Sequence, residues 1–111
     1  IGTIHIAYGP GRENRTPIAT EIAEQIEIKS SLGNQPFEEK HGNFVWNMMI
    51  RIPIETFTHN RLKTFNRTKA TGNFYKCGDD TSDPHFVTWN EIETENPDYH
   101  RPEFFGKLEF D

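Results

Sequence analysis

The chain reads Asn73-Phe74-Tyr75-Lys76-Cys77, then Gly78-Asp79-Asp80-Thr81-Ser82-Asp83-Pro84, then His85-Phe86-Val87-Thr88-Trp89. The outer two segments are short and contain the aromatic and β-branched residues that favour strands. The segment between them consists largely of Gly, Asp, Ser and Pro, which favour turns and loops. The quoted stretch therefore predicts two short strands joined by a polar loop.

Other short strands are predicted on both sides of this stretch, at residues 1–8, 25–32, 44–54 and 105–110. Residues 37–43 are predicted as an edge segment with a hairpin turn, 55–57 as a helical turn and 58–72 as a loop. Thr16 and Pro17 predict the N-cap and first residue of a short helix. Many short strands with little helix predict an all-β, antiparallel, two-sheet β-sandwich, as a single domain over residues 1–111.

Charge and composition exclude several classes of function. The 111 residues carry 12 basic and 17 acidic side chains, a net charge of −5, and no two basic residues are adjacent. A nucleic-acid partner is not expected, because phosphate binding requires a clustered basic surface. No apolar run is long enough to span a bilayer. The single cysteine, Cys77, cannot form a disulfide within the chain.

Three ordered motifs carry a family likeness, at residues 72–79, 84–90 and 100–108. Together they resemble the C-terminal part of the family 9-like carbohydrate-binding modules of secreted bacterial proteins. The resemblance implies a jelly-roll or immunoglobulin-like sandwich. It also implies N-terminal strands preceding the position of Ile1, so this chain is expected to lack them and to expose open sheet edges, which favours self-association.

The resemblance also implies a ligand site, with Trp89 stacking on a sugar ring. A core tryptophan is the alternative reading of that residue. Asn73 matches a ligand-facing polar position, although it could equally cap a turn. Asn90 and Arg101 are further candidates for ligand binding, and each could instead bond loop backbone or a surface ion partner.

Trp46 is expected in the core, because it shares a period-two apolar face with Met48 and Ile50. No cofactor is required by the pattern. Family likeness nevertheless allows a structural calcium ion at the acidic loop of Asp79, Asp80 and Asp83, for which a solvated loop is the alternative.

No catalytic residue is predicted. The five histidines form no pair at helical spacing, and no signature selects two carboxylates for glycoside hydrolysis. In the absence of a catalytic signature, the family resemblance implies a non-enzymatic module that binds plant-type oligo- or polysaccharides such as xylan or glucan. It is expected outside the cytoplasm, whether secreted, periplasmic or at the cell surface, in the same pathway as a glycoside hydrolase.

Two alternatives stay open at this point. One is a structural or protein-interaction sandwich that has lost its sugar site, which a fully buried Trp89 would favour. The other is haem binding, with Met48 or Met49 and a distant histidine as axial ligands.

Overall fold

A computed structural model describes residues 5–111 of the chain. Short strands dominate the described part, with a single α-helix of four residues, α1 (Thr20–Ala23), and 3-10 turns at Ile54–Thr56 and Pro102–Phe104. The strands in chain order are β1 (Ala7–Tyr8), β2 (Thr16–Pro17), β3 (Glu27–Ser30), β4 (Met48–Arg51), β5 (Lys69–Gly72), β6 (Tyr75–Gly78), β7 (His85–Thr88) and β8 (Gly106–Glu109). None of the helices found between residues 5 and 111 is long and apolar enough to cross a bilayer.

All the strand pairs among residues 5–111 are antiparallel, as the sequence predicts. The described pairs are β1 with β2, β3 with β4, β5 with β8, and β6 with β7. Each of these sheets has two strands, so each strand keeps one edge unpaired within the described residues. The all-β class predicted from the short, punctuated strands is confirmed.

The chain divides into two compact units. The first comprises residues up to Gly9 together with Arg15–Lys63, and the second comprises Pro10–Asn14 together with Thr64–Asp111. The single domain over residues 1–111 stays a prediction. Strands β5 to β8, and with them all four predicted ligand-binding residues, belong to the second unit.

The first unit contains β1 to β4 and α1. Ile26 is 8% exposed and Thr56 is 4% exposed, and these two side chains mark its buried centre. At one end of the β3–β4 pair, Glu27 lies opposite Arg51, and the Arg51 guanidinium donates to Glu27 Oε1 at 2.6 Å. Both side chains of this ion pair are largely exposed, so its contribution to stability is under about 1 kcal/mol.

The second unit contains two antiparallel strand pairs with different connections. In the β6–β7 pair, Tyr75 lies opposite Thr88 and Gly78 lies opposite His85, with the polar loop of residues 79–84 between the strands. In the β5–β8 pair, Gly72 lies opposite Gly106, and the long connection through β6 and β7 separates the two strands in the chain. The pairing of β5 with β8 therefore brings the end of the sequence back beside residue 72.

Three predicted elements are wrong. Thr16 and Pro17 form β2, because Thr16 pairs with Tyr8, and the helix begins later with Ala19 as its N-cap. Residues 37–43 contain no strand. The predicted loop at 58–72 ends in strand β5, which has no apolar alternation of its own and is held by its register with β8.

Trp46 and its neighbours are also placed differently from the prediction. Trp46 precedes β4 and is 39% exposed, and Met48 and Ile50 are exposed as well. Within the described residues nothing packs over this face closely enough to bury it. The core assignment of Trp46 is therefore wrong, although the period-two spacing of Met48 and Ile50 on one strand is correct.

Candidate functional site

Strands β6 and β7 present two chemically different faces. Their register places Lys76 opposite Val87, and just beyond the ladder the Trp89 N–H donates to the Phe74 carbonyl at 2.9 Å. Because side chains alternate along a strand, Phe74, Lys76, Val87 and Trp89 share one face, here called the platform face. Tyr75, Cys77, Phe86 and Thr88 lie on the opposite face.

Trp89 is the most prominent side chain of the platform face. It is 55% exposed, and its ring centroid lies 5.6 Å from that of Phe74 in an edge-to-face arrangement at 65°. A Cβ atom placed on Gly106 would lie 2.7 Å from Trp89 Cζ3 and 3.0 Å from Cη2. The edge of the indole therefore rests directly on the backbone of β8, while much of the ring remains open to solvent.

Asn73 holds the chain on both sides of this platform. Its Nδ2 donates to the Asn90 carbonyl at 2.8 Å, while its Oδ1 accepts from the Asn90 N–H at 2.8 Å and from the Phe74 N–H at 3.0 Å. The carboxamide thus extends the β6–β7 ladder by acting as a backbone partner. Asn73 therefore fixes the backbone of Asn90, which follows Trp89, and the backbone of Phe74, whose ring packs against Trp89.

Asn90 connects the platform to the segment before β8. Its Nδ2 donates to the Phe104 carbonyl at 2.7 Å, and the side chain is half-buried. Its Oδ1 lies 3.2 Å from the position that a Cβ on Gly106 would take, so it shares that glycine with the indole of Trp89. Among the described residues this oxygen has no hydrogen-bond donor, which leaves it available as an acceptor beside the ring.

Arg101 is engaged in charge contacts of its own. Its Nε donates to Glu103 Oε1 at 2.7 Å, its Nη1 lies 3.9 Å from Asp98 Oδ2, and its guanidinium lies 5.8 Å from the centroid of the Phe104 ring. The pKa of Glu103 is held below its usual value, first by the N–H of its own backbone and then by Arg101. Asn73, Trp89 and Asn90 are thus directly joined, and Arg101 is related to them through Phe104.

The opposite face of the hairpin carries an aromatic cluster that the sequence analysis did not identify. Tyr99 stacks on Tyr75 with ring centroids 4.4 Å apart and meets Phe86 edge-on at 6.3 Å. Its hydroxyl donates to the Lys76 carbonyl at 3.2 Å. Desolvation raises the pKa of Tyr75 and of Tyr99 above their usual values.

Beside this cluster lies an open cleft of about 310 Å³. Its walls combine aromatic, hydroxyl and carboxylate side chains from β7 and the loop that follows, namely Phe86, Thr88, Glu91, Ile92, Thr94, Glu95, Pro97, Asp98 and Tyr99. The cleft and the platform face lie on opposite sides of β7, because Phe86 and Thr88 alternate with Val87 and Trp89.

The acidic loop forms local contacts. The Cys77 thiol donates to Asp79 Oδ1 at 3.0 Å, which raises the pKa of the thiol and lowers that of the carboxyl. In residues 5–111 no group of three or more His, Cys, Asp or Glu side chains is arranged to hold a metal ion. Calcium at Asp79, Asp80 and Asp83 stays a prediction.

Three residues of the platform face, Phe74, Lys76 and Val87, were not singled out from the sequence, and neither was Gly106 on the neighbouring strand β8. Once Phe74 is known to pair with Trp89, the alternation of side chains along a strand places Phe74 and Lys76 on the same face as Trp89. Gly106 has no such signal, since its role depends on an indole that is 17 residues away in the chain.

Comparisons with known proteins agree on one family. The sequence profile of carbohydrate-binding family 9 matches residues 1–110. A similar crystal structure, that of a proposed carbohydrate-binding protein from Bacteroides uniformis, gives a TM-score of 0.78 at 37% identity over 88% of this chain. The match covers 45% of that protein, so this chain spans less than half of its length. No curated protein matches.

The structural likeness confirms the predicted class of fold, an antiparallel β-sandwich. The profile match likewise confirms the resemblance drawn from the motifs at residues 72–79, 84–90 and 100–108. Since the match extends over nearly the whole sequence, the chain belongs to carbohydrate-binding family 9.

Proposed function

We propose that this chain is a non-catalytic module that binds oligo- or polysaccharides of the xylan or glucan type by stacking a sugar ring on Trp89. The observation that carries the proposal is the 55% exposure of an indole whose edge is held against Gly106. A fully buried Trp89 would instead have favoured a sandwich without a sugar site. Membership of a carbohydrate-binding family supports the same function.

The chemistry around Trp89 suits a sugar. Pyranose rings offer apolar C–H faces to an aromatic ring and hydroxyl groups at their edges. Asn90 Oδ1, beside the indole over Gly106, can accept from such a hydroxyl while the Asn90 Nδ2 remains bonded to Phe104. Asn73 acts mainly as a positioning residue, because both of its polar atoms bond backbone. Arg101 lies at the margin of the proposed site.

Trp89→Ala is expected to weaken the binding of xylo- or cello-oligosaccharides by about 30-fold or more. Truncating a central aromatic contact typically costs about 2 kcal/mol or more of binding free energy. Isothermal titration measures the loss. Trp46→Ala is the matched control, since Trp46 lies in the first unit, just before strand β4. Equal affinities for Trp89→Ala and the unsubstituted chain would refute the proposal.

The same proposal places the module outside the cytoplasm, where polymeric glycans occur. The module would be secreted, periplasmic or at the cell surface, in the same pathway as a glycoside hydrolase.

A non-catalytic role agrees with the chemistry of the one thiol. The bond with Asp79 raises the pKa of Cys77, and a thiol with a raised pKa is a poor nucleophile.

A second candidate function is self-association through β4, which the exposed apolar side chains of this strand favour. Met49 is 61% exposed, and Met48, Ile50 and nearby Ile52 are each nearly half exposed. Contiguous exposed apolar surface commonly marks an interface. Sedimentation velocity is expected to show concentration-dependent dimers, which Met49→Lys disrupts while Val87→Lys, on the other unit, does not. A monomer at every concentration tested would exclude this candidate.

A further inference from the structure

We propose that the carbohydrate recognised at the platform face carries an anionic group, a carboxylate or a sulfate ester, which binds the ammonium of Lys76. This inference rests on the proposed function, because it concerns the same site. It adds Lys76 as a second ligand contact on the platform face and identifies the ligand as an anionic carbohydrate.

Lys76 lies one step along the platform face from the aromatic pair. It faces Val87 across the ladder, next to the pairing of Phe74 with Trp89. Residues two positions apart on one strand are separated by roughly 7 Å. Lys76 therefore lies within reach of a saccharide chain that stacks on Trp89 and continues along the hairpin.

His85 orients the ammonium of Lys76. The Nδ1 of His85 bonds the Asp83 carbonyl at 2.7 Å, which assigns the ring proton to Nδ1 and leaves Nε2 as an acceptor. Lys76 Nζ contacts that Nε2. An ammonium has three N–H donors, and one of them is used in the contact with His85. The other two N–H groups have no partner among the described residues, so they can bind an anion.

The direction of Lys76 sets where the charge of the ligand must lie. Lys76 Nζ points toward His85, which is four residues, or roughly 13 Å of strand, from Trp89. The anionic group is therefore carried by a sugar unit beyond the one that stacks on Trp89.

The platform face differs in charge from the rest of the molecule. The chain has a net charge of −5, and the cleft on the other side of β7 is lined by Glu91, Glu95 and Asp98. On the platform face of the described β6–β7 pair, Lys76 is the charged side chain and no carboxylate is present. Lys76 also forms no ion pair within the described residues, so a ligand anion would be its first.

The test compares three oligosaccharides of equal length by isothermal titration: a neutral xylo-oligosaccharide, the same backbone with a glucuronic acid branch, and a sulfated analogue. The unsubstituted chain is expected to bind one anionic form about three to tenfold more tightly than the neutral form, as charge-assisted contacts at a partly exposed site allow. The form preferred distinguishes carboxylate from sulfate. The preference should shrink as the salt concentration rises.

Lys76→Gln is expected to abolish the preference, because a neutral carboxamide cannot form a charge-assisted contact with the anion. The variant should keep its fold, because the exposed lysine contributes little to stability. Lys107→Gln is the matched control. Lys107 is exposed on β8 and alternates with Gly106, so it does not share the surface on which the indole rests. This variant should keep the full preference for the anionic ligand.

The possible outcomes separate the two proposals. Equal binding of all three ligands with loss on Trp89→Ala would overturn the anionic ligand and keep the sugar site. A preference that survives Lys76→Gln would overturn the role of Lys76. Failure of every ligand to bind would overturn both the anionic specificity and the proposed function.

Discussion

Asn73→Ala is expected to lower the free energy of unfolding by about 2 kcal/mol. The substitution removes the partners of three backbone groups, the N–H and carbonyl of Asn90 and the N–H of Phe74. A polar group that loses its partner in a buried site costs about 1–3 kcal/mol, and the half-buried position of Asn73 favours the lower value for each of the two Asn90 groups. The contact of the Phe74 N–H is exposed, so water can replace the lost partner there. Urea unfolding followed by circular dichroism measures the change.

Two further variants make this prediction specific. Asn73→Asp keeps an acceptor for the Asn90 and Phe74 N–H groups but cannot donate to the Asn90 carbonyl, so an intermediate loss is expected. Asn34→Ala is the matched control, because the described contact of that exposed side chain is a weak bond with Gln35 at 3.4 Å, and its cost should stay within about 0.5 kcal/mol. An equal effect of Asn73→Ala and Asn34→Ala would contradict the positioning role.

Local pattern was sufficient for the strands that form the site. Strands β7 and β8 lie within the segments predicted from aromatic and β-branched residues between Gly, Pro and Asp clusters, and β6 extends one residue beyond its predicted segment, to Gly78. The exception is β5, whose sequence Lys69-Ala70-Thr71-Gly72 has no alternation. It is a strand because β8 supplies its hydrogen bonds, and that partner is more than 30 residues away in the chain. No local signal could have predicted it.

Long-range pairing also overrode a local signal at Thr16. A threonine before a proline is a good helix start, yet Thr16 pairs with Tyr8 and the helix begins after Ala19. Trp46 illustrates a different limit. Periodicity predicts which side chains share a face, but whether another element covers that face depends on packing that the pattern does not encode.

The candidate site was predictable in part for the same reason. Trp89 was found because a motif marks it, and its neighbour Asn90 follows it in the chain. The function of Asn73 required the knowledge that its carboxamide meets Asn90, 17 residues later. The support that Gly106 gives to the indole could not be predicted either, because a glycine in a strand signals only that something approaches closely, not what approaches.

Gly106→Ala is expected to reduce sugar affinity at least tenfold and to cost about 1–3 kcal/mol of stability. The added Cβ would lie 2.7 Å from Trp89 Cζ3 and 3.2 Å from Asn90 Oδ1, the ring and the acceptor proposed to contact the sugar. Because the backbone of Gly106 is held by its pairing with Gly72, the indole must move. Trp89 is 55% exposed and can tilt outward, so the orientation of the platform is lost while the fold survives. Isothermal titration with the oligosaccharide measures the affinity. Trp89 fluorescence, recorded in a Trp46→Phe background so that Trp89 is the emitting tryptophan, reports the tilt of the indole. Gly11→Ala is the control, since a Cβ there would meet no atom within 4 Å. Unchanged fluorescence and affinity in Gly106→Ala would show that β8 does not support the sugar platform.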